Sequence, residues 1–154
     1  MKIGGMVENN YLTLYRLTSV EDRPGAAGTI LKLFAESNVT LEYITESSTS
    51  EDKAVMSICV KAEMDDKIDQ ILREQQDLSH SMTIKKIENV SVLGIYGPHF
   101  REKPKLAAKF CMVLGRAGVN ILGLSSSISS ISAVIISVEL DSAKAAILKE
   151  FELP

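Results

Sequence analysis

The stretch Pro24-Gly25-Ala26-Ala27, running on through Leu33 to Asn38-Val39 and Leu41, is written twice in this chain. Eighty positions later Pro104, Ala107, Val113, Gly118-Val119 and Ile121 occupy the same places. The spacing holds without a gap from Leu12 and Val92 to Leu41 and Ile121. A fixed internal period of this length signals two copies of one small module. Each copy reads strand, turn, helix, strand, strand, helix, so the expected fold class is α+β.

Inside the first copy the periodicities are clear. Tyr11–Leu17 alternates and predicts a strand. Val20–Gly25 predicts a turn, with Asp22 capping the next helix and Pro24 in its first turn. Ala27, Ile30, Leu31 and Phe34 fall at helical spacing and form an apolar stripe. Asn38 predicts the stop, Val39–Thr45 a strand, Glu46–Asp52 a polar loop and Ala54–Lys61 another strand. Asp65-Asp66 opens a second helix with Ile68, Ile71 and Leu72 on one face. Acidic residues there favour its positive end. Met82–Glu88 predicts the closing strand.

The second copy predicts a strand at Val90–Tyr96, a turn at Gly97–Lys103 and a helix from Pro104 with Ala107, Phe110, Cys111 and Leu114 inward. Gly118 suits that helix's end. Strands at Val119–Leu124 and Ser132–Leu140 flank a serine-rich loop, and Asp141 caps a last helix, Ser142–Phe151. No strand follows that helix. Lys2–Val7, separated from Tyr11 by a polar turn at Glu8-Asn9-Asn10, is the spare strand and is expected to complete the second module. The domain reading is therefore 11–89 for the first module and 90–154, completed by 2–7, for the second.

Composition narrows the function. The chain has 154 residues, 45% hydrophobic and 24% charged, with a net charge of −3. Two modules of roughly 75 residues hold thin cores and gain from packing or pairing. The acidic balance, the single adjacent basic pair Lys85-Lys86, and the lack of tryptophan argue against a nucleic-acid partner. No run approaches a membrane span and no signal peptide opens the chain, so a cytoplasmic protein with reduced Cys59 and Cys111 is expected. His80 and His99 lie in polar turns without a ligand cluster, so no metal or cofactor is expected. No G-x-S-x-G or phosphate-loop run occurs, and neither cysteine has a histidine close in sequence.

Asp22-Arg23-Pro24-Gly25-Ala26-Ala27 with Asn38-Val39, and Leu106-Ala107-Ala108-Lys109-Phe110 with Gly118-Val119-Asn120-Ile121, resemble the ACT domain. The whole chain, to its ending Ala145–Leu153, resembles the paired ACT domains at the C-terminus of aspartate kinases. That resemblance implies two ferredoxin-like βαββαβ modules, an amino-acid effector (lysine or threonine) at an interface between modules, a homodimer and an enzyme partner. In that family the kinase domain precedes the pair. Here Met1 falls almost at the start of the pair, so a stand-alone regulatory unit without catalysis is expected.

The ligand contacts implied are Arg23, Gly25, Ala26 and Ala27, with Thr40, Leu41, Glu42, Thr45, Glu46 and Ser47. A helix N-terminus offers free amides and a positive dipole end to a carboxylate. Gly25, read with the negative φ of a helix start, lets the backbone approach; Glu42 and Glu46 suit an ammonium. The bland reading of the same turn is a simple cap. Asn120, Ile121, Ser125 and Ser126 form a weaker second site, because Lys105 replaces the glycine. The alternative function is a structural or dimerising module that docks on an aspartate kinase or another enzyme without binding an effector.

Overall fold

The computed structural model describes residues 1–50, 52–78, 82–98, 100 and 103–154. Among these lie six strands and four α-helices in two compact units, residues 12–88 and residues 1–11 with 89–154. The strands are β1 Gly5–Glu21, β2 Tyr43–Ser50, β3 Lys53–Lys61, β4 Thr83–Tyr96, β5 Gly123–Ser126 and β6 Ser130–Ile136. The helices are α1 Ala26–Glu36, α2 Asp65–Leu78, α3 Leu106–Arg116 and α4 Leu140–Glu150.

In the unit of residues 12–88, β3 lies between β2 and β1, antiparallel to both, and β1 neighbours β4. Leu14 faces Cys59 and Leu17 faces Met56 across the ladder; Tyr43 faces Cys59 from the other side. Tyr15, Leu17, Met56, Ile58 and Val60 form the sheet's share of a core that Ile30 and Phe34 of α1 and Ile68 and Leu72 of α2 cover. Both helical stripes are those the 3.6-residue period predicts. Asn38, with φ 56, ends α1: Asn38 N–H donates to Ala35 and Val39 N–H to Phe34. That is the paired-bond C-terminal motif that normally uses glycine.

The unit of residues 1–11 and 89–154 repeats these parts. β6 lies between β4 and β5, antiparallel to both. Leu93, Ile95, Ile131 and Ile135 meet Phe110 and Leu114 of α3 and Ala143 and Ile147 of α4. Gly118, φ 75, ends α3 through the same two bonds, Gly118 N–H to Gly115 and Val119 N–H to Leu114. Gly4 N–H donates to Tyr96 carbonyl at 2.6 Å, and Lys2 and Glu152 form a parallel bridge. Ile3 is buried in this core. Glu8 accepts from Lys144 Nζ at 2.9 Å, which draws the Glu8 pKa down.

Several predicted boundaries move. Glu8-Asn9-Asn10 is not a turn; β1 runs unbroken from Gly5 to Glu21, taking in Val20 as well. That triplet lacks glycine and proline, and a ladder satisfies its backbone whatever its side chains. Glu46–Ser50 is strand rather than loop, because Glu46, Ser47, Ser48 and Ser50 pair back onto β3, with an irregularity at Thr49, while their side chains stay exposed. β2 begins at Tyr43, not Val39. The strands expected at Met82–Glu88 and Val90–Tyr96 are one strand, β4, which begins at Thr83 and has Asn89 at φ 54 within it. β5 begins at Gly123 rather than Val119 and takes in Ser125 and Ser126, and β6 ends at Ile136. α4 starts at Leu140, with no side-chain cap from Asp141.

Helix α2 is tied to the sheet by a polar cluster. Tyr15 Oη donates to Asp69 at 2.8 Å, Thr13 Oγ1 to Asp65 at 2.9 Å and Lys86 Nζ to Asp69 at 3.0 Å. Thr13 and Tyr15 are buried, so these bonds offset the desolvation of their hydroxyls. Burial, and then the Asp69 hydrogen bond, raise the Tyr15 pKa well above its ordinary 10.0; the Asp69 bond raises that of Lys86 above 10.5. Both groups therefore hold their protons more tightly folded than unfolded. Stability present below about pH 10 is lost as the pH rises further. We expect Tyr15→Phe to reduce stability by about 1 kcal/mol at neutral pH and to flatten the alkaline loss. Denaturant melts from pH 8 to 11 measure both effects.

Candidate functional site

Pro24 and Gly25 do not lie in α1. Ala26 N–H donates to the Arg23 carbonyl at 3.0 Å and Gly25 has φ 85, ψ −7, so Arg23–Ala26 is a type II turn with proline and glycine at its two central positions. Gly25 therefore has a positive φ, not the negative one expected. Its role is conformational: a Cβ there would meet nothing within 4 Å. Asp22 does not cap the helix either. Its Oδ2 accepts a hydrogen bond from Ser48 Oγ of β2, and its N–H donates to Asp52 at 2.9 Å. The residue read as a cap instead ties the turn to the β2–β3 hairpin.

The helix begins without side-chain capping and without an acid in its first turn. Thr29 N–H and Oγ1 both donate to the Gly25 carbonyl, at 3.0 and 3.1 Å. The amides of Ala27 and Gly28 precede that first rung, at the positive end of the dipole. Gly28 is exposed, with open space where a Cβ would stand. Arg23 pairs with Glu21 at 3.2 Å beside a cavity of about 180 Å³ that Val20, Ala26, Thr29 and Met82 also line.

The predicted strand-two contacts divide. Glu46, like the neighbouring Ile44 and Ser48 that were not among them, pairs directly across β3, Ile44 with Ile58, Glu46 with Met56 and Ser48 with Ala54, so all three lie on the helix-facing side of the sheet. Glu46 is exposed there, one alternation from the Ser48 that holds Asp22. Thr45 and Ser47, opposite Ser57 and Val55, lie on the other face. Leu41 packs against the core. Thr40 and Glu42 line a different cavity, about 330 Å³, with Asn38, Lys61 and Glu63. That cavity stands beyond the C-terminal end of α1. Arg23–Ala27 stands at its N-terminal end. Eleven helical residues span about 16 Å, so one copy of this unit does not gather Arg23, Gly25, Ala26 and Ala27 with Thr40, Leu41 and Glu42. Lys61, Glu63 and Ser48 were not singled out in the sequence, and Asn38 was read only as a helix stop.

The equivalent turn in the other unit differs in kind. Leu106 N–H donates to Lys103 at 3.0 Å, but Lys105 has φ −88, ψ −5, which makes Lys103–Leu106 a type I turn. The peptide between the two central residues is flipped relative to the Pro24–Gly25 peptide. Asn120 and Ile121 follow the α3 stop, with Ile121 packed on the core. Ser125 and Ser126 pair with Ser132 and Ile131 in β5.

Among the described residues no group of three His, Cys, Asp or Glu is placed to hold a metal ion. His80 and His99 lie outside the described residues, as do parts of the Glu46–Asp52 and Gly97–Lys103 stretches. Cys59 is fully buried, and burial pushes its thiol up to about 12, which leaves it protonated and unreactive at neutral pH. No helix among the described residues is long and apolar enough to cross a membrane.

Residues 15–80 match the ACT domain family. The sequence is 24% identical over 140 residues to an aspartokinase of Mycolicibacterium smegmatis, an alignment covering 89% of this chain and 33% of that protein. The chain thus spans about a third of the curated relatives it matches. The fold is similar to that of the regulatory subunit of aspartate kinase from Thermus thermophilus, in its ligand-free form. There the TM-score is 0.86 at 19% identity, covering 99% of this chain and 100% of that one. It is also similar to part of the aspartate kinase from Synechocystis, with TM-score 0.89 at 22% identity, covering 99% of this chain and 28% of that one.

The two turns make opposite demands on their third residue. We expect Gly25→Ala to destabilise the protein by about 1–2 kcal/mol, since an L-residue is forced to positive φ. Lys105→Ala, at negative φ, should change stability by less than about 0.5 kcal/mol. Thermal denaturation of the two variants gives the comparison.

Proposed function

We propose that this chain is an amino-acid-responsive regulatory region built of two ACT modules, residues 11–89 and 90–154 with the 2–7 strand. The observation that carries the reading is the uncapped start of α1, open at Gly28, on the helix-covered side of a sheet whose β2 carries the exposed Glu46 on that same side. A ligand carboxylate binds the Ala27 and Gly28 amides and an ammonium group meets Glu46. Lysine and threonine, the effectors implied by the resemblance to aspartate kinases, both carry this pair of charges.

The separation of Thr40 and Glu42 from the turn gives the reading its assembly. β2 ends its sheet and has a partner, β3, on one side only. An edge strand of this kind invites a second strand. A second module lying antiparallel along β2 brings its own Thr40–Glu42 end to the Arg23–Ala27 end of the first, and the two halves of the contact set then meet. The proposed unit of function is therefore a homodimer with the effector between modules, acting on a kinase partner. Lys105 and its type I turn support a structural role for the other copy of the turn. The alternative reading, a dimerising module without an effector, rests on that same loss extended to the first copy.

Thermal shift against the twenty amino acids separates the readings, since a ligand of the native state raises apparent stability. We expect a rise with lysine or threonine, and a dimer by light scattering. Gly28→Asp puts a negative charge at a positive helix end, where it favours the fold and repels a carboxylate. It should keep the melting temperature and abolish the shift. Glu46→Gln should weaken binding roughly tenfold, in line with loss of a charge-assisted bond. No shift with any amino acid in a dimeric wild type would leave only the dimerising module.

A further inference from the structure

The two copies of the first helix are nearly superimposable in sequence spacing, yet their outer faces differ. On α1 that face carries Gly28, Lys32 and Glu36, and Lys32 pairs with Glu36 at 3.6 Å. The same positions on α3 are Ala108, Met112 and Arg116. The ion pair of one copy is replaced by an apolar residue and a cation. Met112 is 55% exposed, although nothing in the fold requires a methionine in water. Around it Met1, Ala108 and Val113 line a shallow apolar groove of about 370 Å³, which Lys105 and Arg116 rim. A second groove of about 400 Å³ continues between α3 and α4 over Ala145 and Ala146, with Arg116 and Lys149 at its edge.

The charge on this face is one-sided. No acidic residue occurs from Lys103 to Arg116, in a chain whose net charge is −3. Glu150, the one carboxylate lining both grooves, is engaged by Lys109 at 3.6 Å. The side chains of Lys105 and Arg116 have no ion-pair or hydrogen-bond partner among the described residues. A methionine between cations that have no ion pair among the described residues, on a floor of alanines that lets another helix come close, fits one class of occupant. Among the described residues no strand lines the grooves, which favours a helix over an added strand.

We propose that the outer face of α3 docks an acidic amphipathic helix of a partner protein, with Met112 as the apolar anchor and Lys105 and Arg116 pairing with the partner's carboxylates. This surface is independent of the effector reading, which concerns α1 and β2.

The probe is a fluorescent peptide of repeating Leu-Glu-Glu-Leu, with a Leu-Lys-Lys-Leu peptide as its charge-reversed control, read by anisotropy on the full chain. The acidic peptide should bind with a dissociation constant of the order of micromolar and weaken about tenfold between low and high salt. The double substitution Met112→Lys with Arg116→Glu transplants the α1 pair onto α3 and keeps a stable helix surface. It should leave the melting temperature in place and weaken binding at least tenfold, the loss typical of a central anchor. Met112→Leu should retain binding, and Lys32→Ala on α1 should leave it unchanged. Equal binding of the two peptides, no binding of the acidic one, or unaltered binding by the transplanted variant overturns the proposal. Sedimentation provides the remaining outcome. If the wild type self-associates without peptide and the transplanted variant does not, the occupant is a second copy and the partner-helix proposal falls.

Discussion

Each unit stands on the burial of helical stripes against one face of its sheet. α1 delivers Ile30 and Phe34; α3 delivers Phe110 and Leu114 at the same two places. The aromatic ring has moved by one turn, and the neighbouring aliphatic residue has moved the other way. Volume is held while identity is not, as close packing demands. At roughly 25 cal/mol per Å² of apolar surface, these side chains outweigh any single polar contact in their unit. The hairpins, turns and caps are then placed by what the helices must cover.

Much of this was legible in the sequence because burial leaves a period. The stripes Ala27, Ile30, Leu31, Phe34 and Ile68, Ile71, Leu72 marked their helices, and the repeat marked the equivalence of α1 and α3. The boundaries that moved are those where burial is silent. Glu46–Ser50 pairs on one side only and faces water, so its composition is that of a loop although its backbone is a strand's. In Glu46–Ser50 polarity reported exposure, not conformation. Glu8-Asn9-Asn10 is different: Asn9 and Asn10 are half-buried within β1, and their side chains gave no sign of it.

The candidate site was legible only in part, and Gly25 shows why. Pro-Gly suits both a helix start and a type II turn, and the two differ by the flip of one peptide. Proline fixes its own φ, glycine accepts either sign, and nothing local decides between them. Lys105 is more informative than Gly25, because a lysine side chain at that position disfavours the positive φ. The long-range choices, Asp22 meeting Ser48 and Thr40 standing a helix length from Arg23, depend on chain paths that no short spacing records.

The Asp22–Ser48 hydrogen bond joins the turn ahead of α1 to the outermost strand of its sheet. Anything that reshapes the turn must work against that strand, and anything laid along the strand stiffens the turn. A ligand at the one place and a second strand at the other, both as proposed, would share a coupling free energy, and the linkage would be reciprocal. If dimerisation favours the ligand-ready turn, ligand must favour the dimer by the same factor. Measured effector affinity would then vary with protein concentration, and one serine hydroxyl would set how strongly.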